Sequence, residues 1–162
     1  MARQGLDLGG NLVAQIEQRD GLTWIGLAGY VTEAADWKPL ARLPGPLRMD
    51  LGGIERINSL GVRGWVHFIA DCEATGLQII VDRCSPVMTS QMSMIRNFMG
   101  TRTQVASLLV PYFCQSCNTD DLQLVELRPG APVAVEGMSV CPKCRGQTVL
   151  DELPSMYSNL NL

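Results

Sequence analysis

The stretch Met49-Asp50-Leu51-Gly52-Gly53-Ile54-Glu55-Arg56-Ile57-Asn58-Ser59-Leu60-Gly61-Val62 decides the fold, because two periodicities meet in it. On its near side Leu47, Met49 and Leu51 alternate with Arg48 and Asp50, the period-2 pattern of a strand with one buried face. On its far side Val62, Trp65, Val66, Ile69 and Cys72 recur at helical spacing and define one apolar helix face. The stretch therefore predicts a strand, a short loop and a helix that opens at Asn58-Ser59, with Ser59 as N-cap and Gly76 as stop. A serine there sits where free helix N–H groups point outward and the dipole is positive.

Similar units flank this one. Leu12, Ala14 and Ile16 alternate with Val13, Gln15 and Glu17, and Asp20-Gly21 then gives a hairpin signal. Leu22 to Ala28 is a nearly continuous apolar run, as in a buried strand. Leu77 to Val81 and Val105 to Val110 read as two more strands. A weak helix lies near Thr32 to Leu43, starting close to Asp36 because Pro39 is tolerated only in a first turn. Ser85-Pro86 opens a further helix, with Met88, Met92, Ile95 and Met99 on its apolar face and Gly100 at its end. The order strand, strand, helix, strand, helix, strand, helix, strand implies an α/β fold, a mixed sheet with helices packed on it.

The character changes at Pro111. Beyond it the helical period is lost, and two cysteine pairs appear, Cys114-Gln-Ser-Cys117 and Cys141-Pro-Lys-Cys144. Between them the turn Arg128-Pro129-Gly130 separates two expected short strands, Leu122 to Leu127 and Val133 to Glu136. A C-x-x-C turn presents two thiolates from one tight loop, and two such loops close a tetrahedral shell around Zn2+. Four thiolates leave no open position, so the expected zinc is structural. Gly146 lets the backbone fold back so that amide groups point at sulfur. The expected organisation is a first domain over residues 1–111, a small β zinc ribbon over 112–150 and a flexible tail over 151–162.

Hydrophobic residues make up 46% of the 162 and charged residues 18%, enough apolar material for a packed core. No run approaches the ~18 apolar residues of a membrane helix, and the first residues lack the apolar stretch of a secretory signal. A cytoplasmic protein with no membrane association is expected, and reducing surroundings favour metal over disulfide. The net charge of −3 lies entirely beyond residue 111, where Arg128, Lys143 and Arg145 face six acidic residues. Such a ribbon lacks the clustered Lys and Arg that phosphate contacts need, so no nucleic acid is expected; a transcription-associated, nucleic-acid-binding ribbon is the alternative.

The other candidates are weaker. Cys72 and Cys84 read as buried thiols rather than ligands. His67 is the only histidine and has no nucleophile or acid patterned around it. Gly52 and Gly53 lack phosphate-loop spacing, and no paired catalytic carboxylates occur, so no enzyme is expected. Met94 and Gln91 lie off the methionine stripe and leave room for a soft partner-binding strip.

The element order and the segment from Asp50 to Val62 resemble a STAS domain, the fold of anti-sigma factor antagonists and of the cytoplasmic tails of sulfate transporters. Asp50-Leu51 matches the family's strand end, Ile54 its apolar loop residue, and Asn58-Ser59-Leu60-Gly61-Val62 its Asp-Ser-Ser-Gly-Leu segment. The family aspartate is Asn58 here and the second serine is Leu60. Over residues 11 to 111 the resemblance implies a non-enzymatic regulatory module. It would bind a protein partner, such as a switch kinase or anti-sigma factor, through Asn58, Ser59, Leu60 and Gly61. It also implies that Ser59 is the phosphorylated serine, a change that adds about two negative charges.

Overall fold

The computed structural model describes residues 2–160 and 162. Six strands form the first sheet, in chain order across it: β1 (Gln4–Gly9), β2 (Leu12–Arg19), β3 (Leu22–Val31), β4 (Leu47–Ile57), β5 (Ile79–Asp82) and β6 (Gln104–Val105). The first three are antiparallel, and β3 through β6 are parallel. Asp20 and Gly21 close the β2–β3 hairpin with φ of 54° and 73°, the left-handed pair that matches strand twist. Helices α1 (Lys38–Ala41), α2 (Ser59–Ala74) and α3 (Pro86–Met94) connect the parallel strands. Strand β1 was not foreseen, because Gly5 and Gly9 leave only Leu6 and Leu8 as apolar signal.

Two expected boundaries move. The loop after Leu51 is strand: β4 continues to Ile57, paired along β3, with the register shifting opposite Gly26–Ala28. Gly53 makes this possible, since a Cβ there would lie 2.5 Å from the Leu27 carbonyl oxygen. Helix α3 stops at Met94 rather than Gly100, and Ile95 turns extended. Asn97 adopts φ 58°, and the Glu73 carboxylate accepts the amides of Thr101 and Arg102 at 2.6 and 2.7 Å. The segment after α3 is thereby tied to α2, and Phe98 is tucked against Trp65.

The core lies between the sheet and its helices. Ile25, Leu27, Met49, Leu51 and Val81 meet Trp65, Phe68, Ile69 and Met88 there, all buried. The opposite face of the sheet carries Trp24, Arg48, Asp50 and Asp82, half-buried side chains joined by the pairs Arg48–Asp82 and Arg83–Asp50.

A second, antiparallel sheet has the order β8-β7-β10-β9, from β7 (Ser107–Cys114), β8 (Thr119–Glu126), β9 (Met138–Val140) and β10 (Gln147–Leu150). The fifth expected strand thus divides. Gln104–Val105 finishes the first sheet, and Ser107 starts the second. Strand β7 runs through Pro111 without a break and starts beside β5, where Cys84 and Leu108 form a parallel bridge. Its inner residues Leu108, Val110 and Tyr112 belong to the same hydrophobic core as Trp65.

No strand forms at Val133–Glu136; β8 pairs back onto β7, and β9 takes the place beside β10. Prolines 129 and 132 remove backbone donors ahead of residue 133. The Tyr112 hydroxyl donates to the Glu136 carbonyl at 2.6 Å, holding that segment out of the ladder. The tail expected to be flexible holds a short helix, α4 (Pro154–Ser158), with Met156, Tyr157 and Leu160 buried in the core. Their i, i+1, i+4 spacing puts three apolar side chains on one face of a single turn. Among the described residues no helix is long and apolar enough to cross a membrane.

Candidate metal centre and the Ser59 helix terminus

Each cysteine pair sits at the tip of a hairpin. Cys114 and Thr119 close β7–β8, and Cys141 to Gly146 joins β9 to β10. The two tips share one backbone form, with the residue after the second cysteine left-handed: Asn118 at φ 54° and Arg145 at φ 63°. The left-handed residue is Arg145, and the amide of Gly146 points at the Cys144 sulfur as expected. Gly146 also allows close approach, since a Cβ there would lie 3.1 Å from the Cys144 sulfur.

The four sulfurs lie within 4.8 Å of one another. Cys114 and Cys144 are 3.5 Å apart, and Cys117 and Cys141 are 3.7 Å apart. A tetrahedral centre with metal–sulfur bonds of ~2.3 Å has sulfur–sulfur edges of ~3.8 Å, so the cluster fits a four-thiolate metal ion. Backbone amides favour the thiolate form. The amide of Cys117 lowers the Cys114 thiol, and those of Cys144 and Lys143 hold Cys141 down to about 6. The Gly146 amide, 3.4 Å from Cys144, pulls that thiol down too, yet the facing thiols and burial outweigh it and push Cys144 up to about 12. Without a cation the four groups cannot all ionise side by side. A bound metal removes that conflict, and a closed four-sulfur shell leaves it no position for substrate.

Cys72 and Cys84 are buried and lie outside this cluster. Burial pushes their thiols up, to about 11 and about 12. Cys84 does its work through its backbone: its amide donates to Ser107 and its carbonyl accepts from Leu109, which couples the two sheets.

At the other candidate site the N-cap is Asn58, not Ser59. The Asn58 side chain accepts the Gly61 amide at 2.7 Å, and Ser59 is the exposed first residue of α2. Asn has both an acceptor and a donor, and its amide donates to Glu33 at 3.0 Å. That hydrogen bond lowers the Glu33 carboxyl below its ordinary value. Glu33 was not singled out in the sequence, because it lies in a loop 25 positions away. Gly61 is fixed by space: a Cβ would sit 2.1 Å from the Val31 carbonyl oxygen. Leu60 is exposed beside Ser59, whereas Gly61 is buried. Comparison with protein-family models and with curated proteins finds no match to this sequence.

Proposed function

We propose that this chain is a non-enzymatic regulatory module with a STAS-like first sheet. It binds a protein partner through the start of α2 and carries a structural Zn2+ in the second sheet. The observation that carries the reading is the placement of Ser59. It stands exposed on the first turn of a 16-residue helix, at the end of a central parallel strand, with its neighbour Asn58 taking the capping role. The hydroxyl is thus free for modification. A phosphate on it meets unpaired helix N–H groups and the positive dipole end, which stabilise it. It also meets the Glu33 carboxylate across Asn58 and adds about two charges to an exposed apolar neighbour, Leu60, which disfavours a docked partner.

A compact four-thiolate tetrahedron suits the coordination preferences of zinc. In cells that contain the chain natively, affinity capture with wild type, Ser59→Ala and Ser59→Asp tests the switch. A protein retained by the first two and depleted about tenfold or more by Ser59→Asp is expected. Equal recovery with all three contradicts it.

A further inference from the structure

The first sheet ends in an open edge along β1. Among the described residues no backbone group pairs with the outer side of Arg3 to Asp7. Beyond Asp7 the edge closes, where the Asp36 amide donates to the Leu8 carbonyl at 2.7 Å. An open edge is a template for another strand, and folded chains guard such edges with lysine, proline, like charges or short length. The other sheet ends are guarded in this way. Strands β6 and β9 are two and three residues long, and β8 carries Asp120, Asp121 and Glu126. Strand β1 has neither lysine nor proline, and its open part keeps regular register with β2.

The β2–β3 hairpin fixes where the free groups of β1 point. Its two-residue turn, Asp20-Gly21, makes Arg19 and Leu22 a hydrogen-bonded pair. Bonding alternates along an antiparallel strand, so Glu17, Gln15 and Val13 also bond to β3, whereas Ile16 and Ala14 bond to β1. Their partners in β1 are Gln4 and Leu6. The N–H and C=O groups of Arg3, Gly5 and Asp7 therefore point away from β2. The exposed side chains of Arg3 and Asp7 lie on the sheet face away from the core, because Leu6 and Leu8 take the core side.

A second copy of the chain matches this edge. Antiparallel pairing about a two-fold axis through Gly5 sets Gly5 against Gly5, and Arg3 of each copy against Asp7 of the other. All three residues carry outward groups, so each contact is a full ladder pair, and opposite charges meet at both ends. The other in-phase registers are worse. An axis at Arg3 or Asp7 sets like charges together, and an axis at Gln4 or Leu6 leaves neither ion opposite its counterpart. Within one chain Arg3 uses its Nε on Glu17 at 3.4 Å, and Asp7 uses one carboxylate oxygen on the Gly9 amide at 2.8 Å. The terminal guanidinium nitrogens and the second oxygen are left for the pairing. Gly5 keeps the axis clear for the close approach of a second backbone.

We propose that β1 is a self-pairing edge through which two copies of this chain join their first sheets into one continuous sheet. No residue of the Ser59 region takes part, so this proposal and the Ser59 switch fail separately.

Sedimentation velocity on the full chain over a concentration series tests it. A strand pair this short falls below the ~1,200 Å2 of a stable interface, so a reversible, concentration-dependent dimer is expected. Arg3→Asp should weaken it about tenfold or more, because both ion pairs become like-charge contacts. Asp7→Arg should do the same. Mixing the two variants in equal amounts should restore a dimer, since one chain is then acidic at both ends of the edge and the other basic at both. Gly5→Pro removes an N–H that bonds nothing within the chain, so it should abolish the dimer while the protein melts as the parent does. Arg3→Asp changes an exposed side chain and decides the matter if either of the other variants disturbs the hairpin. A parent chain that stays monomeric to about 1 mM overturns the proposal. So does a dimer that survives Arg3→Asp or a folded Gly5→Pro, or a pair of folded charge variants that stay monomeric when mixed.

Discussion

Chelating the metal proposed for the four-cysteine cluster, or replacing Cys141 by serine, is expected to melt the far half of the second sheet while the near half holds. The tips at 115–119 and 141–146 and the short strands β9 and β10 have little else to order them. Two β9 residues, Met138 and Val140, are largely exposed, and β10 buries the polar Thr148 and packs one partly buried hydrophobic, Leu150, against the core. Structural zinc contributes ~10–16 kcal/mol in small metal-folded domains. Even a quarter of that, about 2.5–4 kcal/mol, is about a hundredfold to a thousandfold in local opening. Hydrogen exchange should therefore quicken about a hundredfold or more across residues 115–119 and 138–149. Residues 108–112 should stay protected, because Leu108, Val110 and Tyr112 lie in the core with Trp65. Exchange that quickens equally through both sheets would mean that the metal governs a single cooperative unit. Unchanged exchange would mean that it stabilises nothing.

Trp65→Ala is expected to destabilise the whole chain by about 3–5 kcal/mol, the range for removing a large buried aromatic. Trp65 is fully buried and stands among Trp37, Phe68 and Phe98, with ring centroids 5.3, 5.7 and 6.1 Å away. Its indole N–H donates to the Phe98 carbonyl at 3.0 Å. The substitution thus opens a cavity and also orphans the carbonyl that seats the loop after α3. Trp65→Phe keeps much of the volume and loses the hydrogen bond, so about 1–2 kcal/mol is expected. Urea unfolding measures both. A loss below about 1 kcal/mol for Trp65→Ala would mean that this cluster does not organise the core.

What the residues disclosed depended on how local the signal was. The parallel units between Leu22 and Val81 follow from alternation and helical spacing inside single elements, and the four cysteines carry their own spacing. Three features rest on contacts distant in sequence and left no local trace. Strand β8 pairs with β7 across the first cysteine tip, although the Arg128-Pro129-Gly130 turn had suggested a hairpin with Val133–Glu136. The helix Pro154–Ser158 is too short for periodicity and is fixed by burying Met156 and Tyr157. Glu33 joins the Ser59 region only through the crossover from β3 to β4. Ser59 itself was read as the cap because Ser and Asn compete on nearly equal terms for that position. The close packing at Gly61 seats the first turn against Val31, and Asn58 then holds the capping bond.

The proposed closed four-thiolate zinc centre is tested most directly by metal analysis with zinc K-edge X-ray absorption on the purified full chain. One zinc per chain is expected, with four sulfur neighbours at ~2.3 Å and no oxygen or nitrogen in the first shell. A shell that includes oxygen would make the site open and revive metal-assisted chemistry. Metal-free protein with Cys114, Cys117, Cys141 and Cys144 paired as disulfides would contradict the metal centre altogether.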